Sequence, residues 1–132
     1  MWLERVPRGA DLWDWLRGFA GEQDVRTGTV SMIGAVERAV VSFYNQKTHA
    51  YHDLRIEGPH EIVSCSGNIS IHEGAPFPHV HIVLSAEDGR CVGGHLKPGT
   101  IAFAAEARIE ELEGGERVRA ADQATGLPLW RE

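Results

Sequence analysis

Lysine, cysteine and long apolar runs are scarce in this sequence, and each shortage excludes a class of protein. Only two lysines, Lys47 and Lys97, occur among the 132 residues, and the formal net charge is -6. A protein that binds DNA by neutralising phosphates carries a basic surface, so we expect any DNA contact to be weak. No apolar stretch approaches the roughly 20 residues of a membrane-spanning helix, and no signal-peptide pattern opens the chain. We therefore expect a cytoplasmic protein without a membrane partner.

The two cysteines, Cys65 and Cys91, are too few for a disulfide-stabilised scaffold or a cysteine-ligated zinc site. Both lie in strand-like segments, and we expect reduced thiols that pack as small buried apolar side chains. The sequence also has no glycine-rich phosphate loop and no nucleophile elbow, which removes two common classes of enzyme.

The order of helical and strand-like segments predicts a single domain over residues 1–132. Asp11 is suited to cap a helix that ends near Gly21, and short polar turns separate β-branched segments after it. Residues 72–78 have the composition of a loop. The expected fold class is α+β, a mainly antiparallel β-sheet with an N-terminal helix, with strands at 29–33, 35–44, 49–56, 61–66, 78–85, 91–96 and 101–109.

Three histidines, His79, His81 and His95, fall within one predicted β-hairpin that spans residues 78–96. Successive side chains of a strand point to opposite faces, so His79 and His81 share one face. The apolar residues between and after them share the other face, which should meet the core. Whether His95 joins the other two histidines depends on the turn at residues 87–89.

Two registers of this hairpin are possible. A two-residue turn at 88–89 would send His95 to the core side, whereas a G1 bulge with a left-handed Gly89 would set His95 opposite His81. The bulged register also keeps Leu96 on the core face. Because a slip by one residue would bury His95 and expose Leu96, the apolar pattern favours the bulge.

Three imidazoles on one face suit a metal ion. Three neutral histidines that leave a position for water or substrate form the usual open zinc site, and imidazole also ligates iron, copper and nickel. We therefore predict that His79, His81 and His95 hold Zn²⁺ or another divalent transition metal. The alternative is three histidines whose nitrogens are satisfied by ordinary hydrogen bonds. Glycines 93 and 94 leave room in the strand for a ligand or for a second backbone.

Glu106 is the candidate catalytic residue. On the predicted strand 101–109 it shares a face with Ala102 and Ala104, where a carboxylate could be a fourth metal ligand, a partner of a ligand or a general base. The alternative is a charged residue at a strand end. The remaining histidines lack convergent spacing: His49, His52, His60 and His72.

Four short segments together with Glu106 carry a family resemblance: Glu-Ile-Val-Ser at 61–64, Gly-Asn-Ile at 67–69, Pro-His-Val-His at 78–81 and Gly-Gly-His-Leu at 93–96. In this combination the chain resembles the plants-and-prokaryotes-conserved (PPC) domain family, in its free-standing prokaryotic form. The resemblance extends from the helix at Asp11 to the region of Leu127. It implies an antiparallel α+β fold, a homotrimer and, as in several prokaryotic members, a zinc ion on three histidines. The matching positions are His79, His81 and His95.

The resemblance leaves two functions open. The fold is also similar to that of acetolactate decarboxylase and of a zinc-dependent ester hydrolase, which implies a small-molecule ligand and metal-assisted hydrolysis or lyase chemistry. Zinc would then activate a water or polarise a carbonyl, and Glu106 would move the proton. In plants the domain follows an AT-hook in nuclear proteins, which implies instead a non-catalytic, DNA-associated regulatory or oligomerisation module. This chain has no Arg-Gly-Arg core of an AT-hook.

Overall fold

One helix and nine strands make up the fold, which the computed structural model describes for residues 1–131. No helix in that range is long and apolar enough to cross a membrane. In chain order the elements are β1 (Trp2–Val6), α1 (Leu12–Glu22), β2 (Gly28–Asn45), β3 (Ala50–Ile56), β4 (His60–His72), β5 (Ala75–Ser85), β6 (Cys91–Leu96), β7 (Ile101–Glu111), β8 (Arg119–Ala121) and β9 (Pro128–Trp130).

The first seven strands form one antiparallel sheet that curls back on itself. The order is β1-β7-β2-β4-β5-β6, and β3 also pairs with β2. The long strand β2 pairs with β7 and β4 along its first half, and its second half meets β3 and β6, where Ser42 lies opposite His95. The mainly antiparallel sheet with one short helix is thus confirmed, and β8 and β9 form a separate small hairpin.

Helix α1 begins where the sequence places its cap. The Asp11 carboxylate accepts hydrogen bonds from the backbone N–H groups of Trp13 and Asp14, at 2.9 and 3.1 Å, which satisfies donors that the first turn cannot pair internally. The helix buries its apolar face, formed by Leu12, Leu16 and Ala20, against the concave side of the sheet.

Several parts of the chain differ from the prediction: β8 and β9 were not predicted, and β4 continues six residues beyond the predicted strand 61–66. Residues 2–6 form β1 on the edge of β7, and this strand was missed because charged residues interrupt its apolar pattern. Residues 75–78, predicted as loop, belong to β5. Pro76 and Pro78 pair with β4 on one side, and β6 joins β5 only from His81 onward. One edge of β5 is therefore unpaired at both prolines, which is the position where a sheet accepts them.

The two thiols differ in environment. Cys65 is buried as expected, and burial raises its pKa to about 12. Cys91 is exposed at the start of β6, so the prediction that it would be buried is wrong. It occupies a position of β6 that points away from the core.

We expect this difference to appear in thiol labelling. The thiolate is the reactive form, so at mildly alkaline pH iodoacetamide should label one cysteine per chain in the folded protein, and the second only in denaturant. Cys91→Ser should remove the fast reaction and Cys65→Ser should leave it unchanged. Rapid labelling of both thiols in the folded protein would contradict the buried position of Cys65.

Candidate metal centre

The turn between β5 and β6 sets the register of the histidines. Gly89 is left-handed, with φ +81°, and the backbone N–H of Ala86 donates to the Arg90 carbonyl at 2.9 Å. His81 therefore pairs directly with His95. The bulged register is confirmed, and the two-residue turn that would have sent His95 to the core does not form.

The hairpin separates the histidines from the core as the alternation predicts. His81 is exposed, and His79 and His95 are half-buried on the outer face of the sheet. The two glycines before His95 allow the backbone of the neighbouring strands to approach closely. A Cβ at Gly93 would lie 2.4 Å from the Ile82 carbonyl oxygen. A Cβ at Gly94 would lie 2.7 Å from the Ser42 carbonyl oxygen. The side chains on the buried face of the hairpin are Val80, Ile82, Leu84 and Leu96.

The three imidazoles come close enough to share one ion. One ring nitrogen from each of His79, His81 and His95 lies within 4.8 Å of the other two, and His81 Nε2 is 3.1 Å from His95 Nδ1. Tetrahedral zinc with Zn–N bonds of about 2.0–2.1 Å places its ligand nitrogens about 3.3 Å apart. One pair already has this spacing, so the donor set fits a small divalent ion. No other such group of three or more potential ligands occurs in the part of the chain described.

Two of the histidines are held in the neutral form that ligates metals. Burial lowers the pKa of His79 to about 4, with further contributions from the charges of Arg119, His95 and His81. Burial also lowers the pKa of His95, aided by His81 and Lys97. Because only a neutral imidazole offers a lone pair to a cation, the environment prepares both residues for ligation without prior loss of a proton.

Arg119 is a site residue that the sequence did not indicate. It lies on β8 and is only 8% exposed. Its guanidinium donates to Ser70 Oγ at 2.7 Å, to the Pro128 carbonyl at 2.9 Å and to Asn68 Oδ1 at 2.9 Å. A longer contact of 3.4 Å reaches His79 Nδ1. Only the folding of β8 against β4 brings this arginine to the histidines, 40 residues after His79.

The β8–β9 hairpin also lines one side of a pocket beside the histidines. The pocket has a volume of about 380 Å³, and His79 and His95 form part of its wall. Trp13 anchors another wall, where its indole N–H donates to the Pro78 carbonyl at 3.1 Å. A second depression of about 730 Å³ reaches His81 and His95 from the side of β2. The histidines are therefore accessible to a small molecule from two directions.

Glu106 lies on the outer face of the sheet but not beside the histidines. It is exposed on β7 and lines a different depression with Arg5 and Arg108. β7 and β5 are separated by β2 and β4, which corresponds to roughly 14 Å at about 4.8 Å per strand. A catalytic role for Glu106 therefore requires a second copy of the chain and stays a prediction.

The prediction that Glu106 shares a face with Ala102 is wrong. Ala102 is fully buried, whereas Glu106 is exposed, so the two do not share a face. The reason is an irregularity in the pairing with β2: Ala35 lies opposite Ala104 and Val36 opposite Ala102, which leaves residue 103 unpaired. One extra residue reverses the alternation beyond it.

Solved structures of other proteins share this architecture. A metal-containing protein from Archaeoglobus fulgidus is 38% identical, with a TM-score of 0.94 over 99% of this chain and 92% of that one. A plant- and prokaryote-conserved protein from Pyrococcus horikoshii is 31% identical, with a TM-score of 0.94 over 99% and 90%. A protein from Bacteroides thetaiotaomicron, named as a candidate DNA-binding protein, is 26% identical, with a TM-score of 0.90 over 98% and 90%.

Sequence comparison adds one longer relative and a family. The bifunctional protein GlmU of Synechococcus sp. (strain JA-3-3Ab) is 30% identical over 124 residues, which are 92% of this chain but 19% of that protein. The chain thus spans about a fifth of the length of this curated relative. The Plants and Prokaryotes Conserved (PCC) domain matches residues 2–113. The chain belongs to the Plants and Prokaryotes Conserved domain family.

Proposed function

We propose that this chain binds a divalent transition-metal ion through His79, His81 and His95 and uses it to act on a small molecule. The observation that carries the proposal is the approach of the three ring nitrogens to within 4.8 Å of one another. The relative from Archaeoglobus fulgidus, named as metal-containing, supports it. Three protein ligands leave a coordination position for water or substrate, as in catalytic rather than structural zinc sites.

Zinc is the metal we propose. When bound, it would supply a Lewis acid suited to hydrolysis or to lyase chemistry at a carbonyl. We also propose that the fold is related to that of acetolactate decarboxylase. The chain's own residues would orient the ligands and the substrate. β5 and β6 hold His81 and His95 in register, and the β8–β9 hairpin encloses the pocket beside them. A cytoplasmic location is also proposed, supported by two unpaired cysteines.

Metal reconstitution tests this proposal. Protein stripped with a chelator, dialysed against zinc and then against metal-free buffer should retain about one ion per chain, as a three-histidine site does. Elemental analysis measures the ratio. Retention of no metal after reconstitution would contradict the proposal. Retention that persists in the triple alanine variant of the three histidines would contradict the ligand assignment.

We also propose a homotrimer, supported by an apolar strip on the outer face of the sheet. Leu3 of β1, Ile33 of β2 and Phe103 of β7 are 77%, 59% and 49% exposed. Val63 and Val83 continue the strip on the next two strands. Exposed apolar side chains concentrated on one face of a small protein commonly mark an association face. Assembly through this face would cover the depression that contains Glu106 and could bring its carboxylate to a neighbouring chain.

The trimer gives a direct prediction for Ile33→Asp. A charge in the apolar strip must be desolvated on association, so light scattering should give one chain mass for this variant. The wild type should give three times the 14.5 kDa of the chain. Leu112→Asp, a substitution of an exposed apolar residue beyond the end of β7, is the matched control and should remain trimeric. A wild-type mass of one chain would contradict the trimer.

The second candidate function is a non-catalytic, DNA-associated module. The naming of the Bacteroides thetaiotaomicron relative favours it, whereas the net charge of -6 does not. An acidic chain has few cations with which to displace the counterions of DNA. Association through a partner protein is the form of this alternative that the charge allows.

A further inference from the structure

The pocket beside the histidines is free of acidic residues in an acidic protein. The chain has 19 Asp and Glu residues against 13 Lys and Arg, yet no carboxylate lines this pocket within residues 1–131. Its charged lining consists of Lys97 and Arg119. The second depression, on the β2 side of the histidines, has no acidic lining residue in the same range either. Within residues 1–131, the formally charged side chains that line the two depressions are therefore both cations.

Arg119 is buried without a countercharge. All the acceptors of its hydrogen bonds are neutral: a hydroxyl, a carbonyl, a side-chain amide and an imidazole. It takes part in no salt bridge within the described part of the chain. Aromatic rings of Phe77 and Trp130 each lie 5.6 Å from its central carbon. A buried charge is costly unless an opposite charge is supplied, and here an anion from solution can supply it.

The hydrogen bonds of Arg119 leave donors for such an anion. A guanidinium has five N–H groups. Four of them donate to the acceptors already described, on Asn68, Ser70, His79 and Pro128. The 3.4 Å contact with His79 Nδ1 is also lost once His79 ligates a metal. Ligation through Nδ1 takes up the lone pair, and ligation through Nε2 places the proton on Nδ1. Metal binding would therefore leave two N–H groups, the number that a carboxylate accepts in a bidentate pair.

Most of the remaining lining of the pocket is apolar. Trp13, Phe77, Leu127 and Leu129 line it, and its volume of about 380 Å³ is that of a small-molecule site. Lys97 also lines the pocket, with its ammonium nitrogen 4.7 Å from the Tyr51 ring centre. His72 adds a buried Nδ1 that has no hydrogen-bond partner within residues 1–131. A ligand that satisfies these groups has one anionic end and an apolar body.

We propose that this pocket binds a small organic acid, with its carboxylate on Arg119 and Lys97 and its apolar part between Trp13 and Leu129. The proposal rests on the proposed function, because the pocket opens on the same imidazoles, and it names the substrate class of that site. A carboxylate fits better than a phosphate group, which usually draws on several backbone N–H groups or a helix N-terminus. The recognition elements Arg119, Leu127 and Leu129 lie outside the residues 2–113 that match the family.

The metal and the acid should bind cooperatively. A divalent ion on three neutral imidazoles adds positive charge next to Arg119, and no protein carboxylate among the pocket residues offsets it. A bound anion does offset it. Binding linkage is reciprocal, so the metal should strengthen acid binding by the same factor by which the acid strengthens metal binding.

Calorimetric titration of the full chain, with and without zinc, tests the proposal. The probes are phenylacetate, the uncharged phenylacetamide and phenyl phosphate. We expect phenylacetate to bind at least tenfold more tightly than the other two, and zinc to strengthen its binding. Lys97→Met and Arg119→Lys should each weaken it at least tenfold. Arg90→Met removes a cation from the distant hairpin turn, where Arg90 pairs with Asp88, and should leave binding unchanged.

The outcomes separate this proposal from the metal proposal. Zinc retention without phenylacetate binding would overturn the organic-acid pocket and leave the metal site standing. Phenylacetate binding that depends on Lys97 in a chain that retains no zinc would support the pocket and overturn the metal site. Tighter binding of phenyl phosphate, or equal binding of the amide, would overturn the carboxylate assignment. If circular dichroism shows that Arg119→Lys is unfolded, the Lys97→Met result decides.

Discussion

Replacement of His81 by alanine is expected to weaken metal binding by on the order of 100-fold or more while the protein remains folded. Loss of a residue that only hydrogen-bonds a metal ligand lowers metal affinity by about 10–100-fold. Loss of a ligand itself should lower it by at least as much. His81 is exposed and contacts mainly His95 and His79 through its ring. Surface substitutions usually change the free energy of unfolding by no more than about 0.5 kcal/mol. Metal affinity by competition with a chelator dye and stability by urea unfolding measure the two quantities separately.

His60→Ala is the matched control for this variant. His60 begins β4, where its Nδ1 lies 3.0 Å from the Gly58 carbonyl, and it lies outside the three-histidine group. Its replacement should leave metal affinity unchanged. If His81→Ala bound metal as tightly as the wild type, the ion would be held elsewhere. If it unfolded without metal, the site would be structural.

Gly67→Ala is expected to destabilise the protein by on the order of 3 kcal/mol, the range of backbone and overpacking effects. A Cβ at Gly67 would lie 2.1 Å from the His79 carbonyl oxygen and 2.7 Å from the Val80 Cα. Both atoms are backbone, so β5 must move away from β4 to admit the methyl group. This movement would displace His79 relative to His95 and weaken metal binding as well. Urea unfolding and metal competition report the two effects.

Gly18→Ala is the control for the general effect of a glycine substitution. Gly18 is exposed in α1, and a Cβ there would meet no atom within 4 Å. Alanine is favoured over glycine inside a helix by about 1 kcal/mol, so this variant should gain stability. A Gly67→Ala protein with wild-type stability and metal affinity would show that β4 and β5 are not packed as closely as the structure indicates.

The hairpin was predictable because a shift of register by one residue exchanges the buried and exposed side chains of a whole strand. With His95 opposite His81, Leu96 is 3% exposed, and a slip by one residue would reverse this. The turn residues around Gly89 and the apolar pattern of the strands both favoured the same register. The sequence alone therefore predicted that the three histidines lie together. The Asp11 helix cap was predictable for the same reason, since its hydrogen bonds join residues close in sequence.

The rest of the site was not predictable because it depends on long-range packing. Arg119 reaches Asn68 and Ser70 across about 50 residues, and nothing in the local pattern of residues 114–127 indicates this. The position of Glu106 depended on an irregularity in the pairing with β2, which single-strand alternation cannot reveal. Residues 75–78 were misassigned because two prolines usually end a strand, and only the unpaired edge of β5 explains why they do not.

Anomalous X-ray diffraction from crystals grown with zinc tests the central claim most directly. We expect one anomalous peak per chain, about 2.0–2.1 Å from a ring nitrogen of each of His79, His81 and His95. A peak bound elsewhere on the chain, or no peak at the three histidines at saturating zinc, would contradict it.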